Sequence, residues 1–227
     1  MEWIQETIVH TRAELPEQTI TRQYLAEHAD EYYGILHQRD EWILRDSNGG
    51  GVLIRRQIGL PILEIRIQRP TRQPILVEYQ QTRVIPSAYA RAQPEANYEN
   101  PPALPNTVVV RAREMWLRDN LRIYVDIVDG CGVFLSVDAV VDEIFSEMTC
   151  RRQVQVLLDT LQIPDSAVVS KNYAELLNEA RAAMETHGDD MQEIRRRNFL
   201  ELEKRMILLR PMPEDDEQPK TEEAICE

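Results

Sequence analysis

The chain has 227 residues, enough for one large β-rich domain with a sizeable core, and a formal net charge of −13. That charge argues against a general nucleic-acid surface, so a nucleic-acid duplex is not expected as a partner. No stretch approaches the roughly 18 apolar residues of a membrane span, and residues 1–12 lack the basic-then-apolar layout of a signal peptide. A soluble, cytoplasmic protein with no membrane partner is expected. The charge is unevenly placed: residues 211–227 hold seven acids against Lys220, so this tail alone supplies −6. In the body, arginines outnumber lysines many-fold, and arginine offers a planar fork for phosphate or carboxylate. Cys131, Cys150 and Cys226 are widely spread with no CxxC or Cys/His cluster, which reads as thiols in a reducing compartment rather than a zinc site.

In chain order, residues 3–15 show apolar positions at Ile4, Ile8 and Leu15, a weak helical period ending before Pro16. Residues 19–33, rich in Thr and Tyr, read as a strand closing at Gly34. Residues 41–47 and 52–58 flank Asn48-Gly49-Gly50-Gly51, the strongest hairpin signal in the chain. Two more strands follow: residues 62–68 set Leu63, Ile65 and Ile67 against Glu64, Arg66 and Gln68, and residues 75–81 set Val77 and Tyr79 against Glu78 and Gln80. Residues 86–107, rich in Pro, Ala, Asn and Glu, read as a surface loop separating two β-rich halves.

The second half carries the densest pattern. Residues 108–116, 121–128 and 132–140 form a predicted β-meander broken at Asp119-Asn120 and Asp129-Gly130. Alternation splits each strand: Ile123, Val125 and Ile127 against Arg122, Tyr124 and Asp126; Val110 and Ala112 against Arg111 and Arg113; Leu135 and Val137 against Phe134, Ser136 and Asp138. Arginines and carboxylates therefore share one surface. Residues 142–161 are then an amphipathic helix with Ile144, Phe145, Met148, Val154, Leu157, Leu158 and Leu161 on its apolar side. A second helix covers residues 170–185 with Tyr173, Leu176, Leu177 and Ala180 as its stripe. A charged third helix follows at residues 189–209 (within a 186–210 segment), and an acidic tail at 211–227 is expected to be disordered. The basic run Arg195-Arg196-Arg197 in that third helix reads as a solvated face. His10, His28, His37 and His187 are scattered with no orienting carboxylate in a recognised motif, so they are weak acid/base candidates.

Several segments resemble the CYTH family, the triphosphate tunnel metalloenzymes that include class IV adenylate cyclases and thiamine and inorganic triphosphatases. VDIVDGCGVFLSVDAVVDE is similar to the family's LDxVxGLGxFxEIE strand pair, with Asp126, Asp129, Gly130, Gly132 and Phe134 in place. Arg111-Ala112-Arg113 with Trp116 resembles the basic strand KxRxxW. The run from Leu157 to Leu177 is similar to the helix, LGI and SYxELL segment, and Asp30-Glu31-Tyr32-Tyr33 with Asp40-Glu41-Trp42 resembles DTYYD…DxWLRxR.

The resemblance implies an α+β fold, an antiparallel closed β-barrel or tunnel flanked by C-terminal helices, spanning residues 1–185 with the 86–107 loop inserted. It further implies a triphosphate held by Arg45, Arg55, Arg66, Arg111, Arg113 and Arg122, and Mg²⁺ or Mn²⁺ held by Glu64, Glu78, Asp126 and Asp138. Taken without the resemblance, Asp126 and Asp129 could merely shape the turn at Gly130, Asp138 could face solvent, and Arg111 and Arg113 could pair structurally with Glu64 or Glu78. The sequence departs from the family in three places: the family's WELK strand aligns with residues 52–55 or 63–66, with its lysine replaced by Arg55 or Arg66, and two more departures concern acids. The N-terminal ExExK strand has no match and is expected to be truncated or lost, and the ExE after Phe134 has become Ser136 and Asp138. The expected function is a metal-dependent triphosphatase acting on thiamine triphosphate or inorganic tripolyphosphate. The alternative is a degenerate tunnel that binds polyphosphate or nucleotide without turnover or serves as a scaffold, and a cyclase is third. The sequence leaves a homodimer open.

Overall fold

The computed structural model describes residues 2–86 and 107–187. The loop expected at 86–107, Cys226, His187's side chain, the Arg195 run, the helix at 186–210 and the acidic tail lie wholly or almost wholly outside these. Eight strands make up the wall: β1 (Ile4–Glu14), β2 (Glu31–Arg45), β3 (Gly51–Gln57), β4 (Ile62–Gln68), β5 (Ile75–Ile85), β6 (Thr107–Arg118), β7 (Leu121–Val128) and β8 (Gly132–Val141). Three helices join them: α1 (Thr19–His28), α2 (Glu147–Thr160) and α3 (Tyr173–His187). The strands close antiparallel in the order β1-β5-β4-β3-β2-β6-β7-β8, giving the expected α+β barrel. Closure leaves no exposed edge.

Two N-terminal expectations are corrected. Residues 3–15 are not a helix but β1, which pairs with β5 on one side and β8 on the other, Val9 opposite Val77 and Ala139. Its polar inward residues broke the apolar alternation, leaving Ile4, Ile8 and Leu15 to mimic a helical period. The first strand is therefore present rather than lost. Residues 19–28 are helix α1, not strand, because Thr21 and Leu25, four apart, bury on one face and Tyr24 meets His28 edge-on across the same turn. Tertiary burial of Leu25 outweighs the β preference of the threonines. The strand signals around Tyr32 and Trp42 belong to one long β2, bulged between Tyr32 and Gly34, where Gly34 takes φ +85.

The predicted meander is β6-β7-β8, with Ile123 opposite Trp116 and Val137. Ser146 starts α2 by accepting a hydrogen bond from the Thr149 amide at 3.2 Å. Asp142 and the residues up to Phe145 form a turn before it, with the Asp142 carboxylate accepting from the amides of Ile144 and Phe145. Consequently Ile144 and Met148 are exposed rather than part of the buried stripe, which is Cys150, Val154, Leu157, Leu158 and Leu161. That stripe packs on the outer face of β1, β7 and β8, against Val9, Ile123, Val125, Leu135 and Val137. Each fully buried aliphatic side chain there contributes about 1.5–3 kcal/mol.

A second apolar cluster lies inside the barrel at one end. Trp42, Leu53, Ile65, Ile67, Val109 and Phe134 gather around Tyr173 and Ala174, the first residues of α3. The first turn of α3 thus stoppers that end. Its entry is a capping box: the Asn172 side chain accepts from the Glu175 amide, and the Glu175 carboxylate accepts from the Asn172 amide. Asn172 also donates to the Gly49 carbonyl at 2.8 Å, tying the β2–β3 turn to α3. Gly49 takes φ +82, a backbone conformation that favours glycine, and a Cβ there would press on the tips of Arg69 and Glu175 at 2.9 and 3.0 Å. No described helix is long and apolar enough to cross a membrane.

Candidate functional site

Beyond the apolar stopper the barrel holds a cavity of about 300 Å³. β1 turns Glu6, His10 and Arg12 toward it, and β6 and β7 contribute Arg111, Arg113, Arg122 and Tyr124. From β2, β3 and β5 come Asp40, Arg55 and Glu78, with Arg69 just past β4.

The charged side chains are paired in a chain of short hydrogen bonds. Arg113 donates through Nε and Nη2 to both Asp126 oxygens, each at 2.7 Å. Tyr173 Oη donates to Asp126 Oδ2 at 2.7 Å and lies 2.9 Å from Ser136 Oγ. Arg55 and Arg111 share Asp40, Arg55 through two bonds of 2.8 and 2.9 Å and Arg111 through one of 2.9 Å, while Arg111 Nε donates to Gln38. Arg69 Nε donates to Glu78 at 2.7 Å. His10 Nδ1 lies 2.6 Å from Asp138 Oδ1. At the open mouth Arg122 grips Glu6 with two bonds of 3.0 and 2.6 Å.

Burial works against every charge here, and the partners decide the outcome. Burial raises the Asp40 carboxyl, but the Arg111 and Arg55 guanidiniums more than offset it and bring it down to about 2. Asp126, Glu78 and Asp138 are likewise lowered against burial: by Arg113 for the first, by His10 and Arg69 for the second, by His10 for the third. Arg111 is brought down to about 10, first by burial and then by the neighbouring Arg113 charge. Burial and the Asp126 charge push the Tyr173 hydroxyl up to about 12.

The structure brings Arg55, Arg111, Arg113, Arg122, Glu78, Asp126 and Asp138 together inside the barrel. It places Glu64 and Arg66 elsewhere. On β4 the inward set is Leu63, Ile65 and Ile67, so Glu64 and Arg66 point outward, where Glu64 accepts from Arg66 and Arg83 beneath the Trp3 ring. Arg45 turns to α3: with the Asn178 amide oxygen facing it, that oxygen accepts from both Arg45 Nη atoms at 2.9 and 3.2 Å. Sequence reasoning missed His10, Arg12, Asp40, Arg69 and Glu6. Three of these lie on β1, and reading β1 as a strand would have exposed their alternation. The Asp138 carboxylate that orients His10 is supplied from β8, across 128 residues of sequence.

The counts leave a cationic surplus. Six guanidiniums, of Arg12, Arg55, Arg69, Arg111, Arg113 and Arg122, face five carboxylates, of Glu6, Asp40, Glu78, Asp126 and Asp138. Arg12 is the member with no carboxylate in its bonds: one nitrogen donates to the Lys171 carbonyl at 2.7 Å and the guanidinium stacks 3.9 Å from the Tyr173 ring centre. Arg12 Nε, Arg69 Nη1 and His10 Nε2 are buried without a hydrogen-bond partner among the described residues. The two arginine nitrogens are donors that a water or a bound anion could satisfy; five further side-chain atoms that do not line the cavity are in the same state among the described residues.

The donor set does not fit a resident Mg²⁺ or Mn²⁺. Such ions need several oxygen ligands in near-octahedral array, and here each inward carboxylate is bonded to a guanidinium or imidazole that a dication would displace and repel. Among the described residues no group of three or more His, Cys, Asp or Glu stands together as a metal site. From β1 the cavity is lined by Ile4, Glu6, His10 and Arg12, with Glu6 the one acid among them.

No family model matches this sequence, and no curated protein does. Solved structures do. A protein from Pyrococcus horikoshii superposes with a TM-score of 0.61 at 15% identity, over 75% of this chain and 99% of its own. A conserved protein of Pyrococcus furiosus gives 0.62 at 12% identity over 74% and 99%. A proposed adenylate cyclase from Vibrio parahaemolyticus gives 0.56 at 15% identity over 76% and 98%. The eight-stranded barrel, its closure order and these superpositions together make this a CYTH-like tunnel fold.

Proposed function

We propose that the lumen binds a small polyphosphate anion, of the class of inorganic tripolyphosphate or thiamine triphosphate, without a resident divalent metal. The observation that carries this reading is the cationic surplus of the lumen, in which Arg12 has no carboxylate partner among the described residues and its Nε is buried without an acceptor. Guanidiniums in a low-dielectric pocket hold phosphate oxygens by charge-assisted bonds. The shared fold with a protein described as an adenylate cyclase points toward a phosphate-bearing ligand as well. The metal-dependent triphosphatase ranks second, because its acids would first have to leave their arginines. The test is thermal: tripolyphosphate in excess EDTA raises Tm, because a ligand of the folded state alone stabilises it. Arg12→Gln removes the shift, whereas sulfate at equal ionic strength gives far less. No shift in EDTA with a clear shift in Mg²⁺ would reverse the order of the two readings.

A further inference from the structure

Tyr173, the first residue of α3, puts its side chain into the stoppered end of the cavity. Its ring meets two guanidiniums from strands that do not pair with each other: Arg12 of β1 at 3.9 Å and Arg111 of β6 at 5.3 Å from the ring centre. All three side chains are buried and line the cavity. The hydroxyl is held twice, by Asp126 of β7 and Ser136 of β8, which fixes the ring's orientation. The backbone is fixed as well. Val169 donates its amide to the Arg12 carbonyl at 2.9 Å, Ala13 bridges to Val168, and the Asn172–Glu175 box sets the start of the helix. An aromatic face attracts a cation through its quadrupole and carries no net charge. It therefore holds Arg12 and Arg111 near one point without cancelling either. A carboxylate does the opposite, as Asp126 shows with both oxygens taken up by Arg113.

We infer that Tyr173 is a positioning residue of the anion site, its ring presenting the Arg12 and Arg111 guanidiniums to one phosphoryl group at the inner end of the lumen. This inference rests on the polyphosphate-binding reading above. Arg113, Arg69 and Arg122 are each matched by a carboxylate of their own, so the positive charge left over resides on Arg12 and on the group in which Arg55 and Arg111 share Asp40. The ring touches one member of each. Without it the two like charges repel and each long side chain gains rotamers, so a ligand has to gather them at an entropic cost. Tyr173 acts through the two arginines and contacts no phosphate oxygen itself. Its ring organises the cations, and its hydroxyl anchors α3 to β7 and β8.

The experiment titrates tripolyphosphate into the full chain in excess EDTA by calorimetry and reads the Tm of the unliganded chain beside it. Tyr173→Phe keeps the ring and loses the bonds to Asp126 and Ser136; its Tm is expected to fall while Kd stays within about threefold of wild type. Tyr173→Leu removes the ring and is expected to weaken binding by about tenfold or more. Tyr173→Met, closer to tyrosine in volume, is expected to do the same and serves where the leucine variant does not fold. Leu177, near Gly130 and outside the cavity lining, is the control: Leu177→Ala is expected to lower Tm and leave Kd unchanged. A folded leucine or methionine variant with the wild-type Kd, or a phenylalanine variant as weak as they are, overturns the positioning role and leaves the binding reading intact. Affinity that simply follows Tm across the set, Leu177→Ala included, is the mark of a structural role alone and overturns it too. No binding by wild type overturns both.

Discussion

The wall formed by β6, β7 and β8 and the wall formed by β4 carry the same kind of alternation and face opposite ways. In the first, Arg113, Asp126 and Asp138 point inward and Val125, Leu135 and Val137 outward; in the second, Leu63, Ile65 and Ile67 point inward and Glu64 and Arg66 outward. Period alone does not say which face is the lumen. What decides it is the cover. The outer face of β7 and β8 lies in the apolar cluster built on α2, so their greasy side belongs there and their charges must face the cavity. On β4, Arg66 and Gln68 reach water, and its aliphatic side instead meets Trp42, Leu53 and the α3 stopper inside. The same charge is accordingly worth different amounts on the two walls.

Substitutions sharpen that contrast. The largest effect is expected for Asp126→Ala, which strands Arg113 in a buried site: denaturant unfolding should show a loss of about 3–5 kcal/mol. Equal losses for Asp126→Ala and Arg66→Ala would erase the distinction between walls.

An intermediate effect concerns pH. Asp40 is lowered in the folded state to about 2, so its contribution is fully present above the unfolded value of about 3.9 and is lost as pH falls through that window. The contribution is about 2 kcal/mol at neutral pH. Acid titration followed by circular dichroism should show Asp40→Asn destabilised at pH 7 yet less sensitive between pH 4 and 2 than wild type, values chosen to bracket the shift. The smallest effect belongs to Arg66→Ala. Its side chain is 44% exposed and Arg83 still serves Glu64, so unfolding should change by less than about 1 kcal/mol.

Much of this was legible in the sequence, and the misses share a cause. β6 to β8 announce themselves because β-branched residues alternate with charges between Asp-Asn and Asp-Gly breaks, and the tight turn at Gly130, φ +75, sits where those breaks fall. β1 was hidden because its inward face, Glu6, His10 and Arg12, is polar in a strand whose outward face mixes threonine with valine and alanine. α1 was hidden because one buried leucine, supplied by a tertiary contact, sets its face. Placement on the lumen followed the strands: Arg111, Arg113 and Arg122 on β6 and β7 line the cavity as their alternation predicts, whereas Arg12, Asp40 and the pairing of His10 with Asp138 depend on which distant strands neighbour one another. Closure brings β1 between β5 and β8, and no local pattern encodes that adjacency.

The most direct measurement of the central claim is calorimetric titration of tripolyphosphate into the full chain, once in EDTA and once in saturating Mg²⁺. Saturable one-to-one binding in EDTA, unimproved by Mg²⁺ and lost in Arg12→Gln, is the predicted result. Binding seen only with Mg²⁺, and lost in Asp138→Asn but not in Arg12→Gln, would mean that the inward carboxylates leave their guanidiniums to hold a metal, and it would contradict the account.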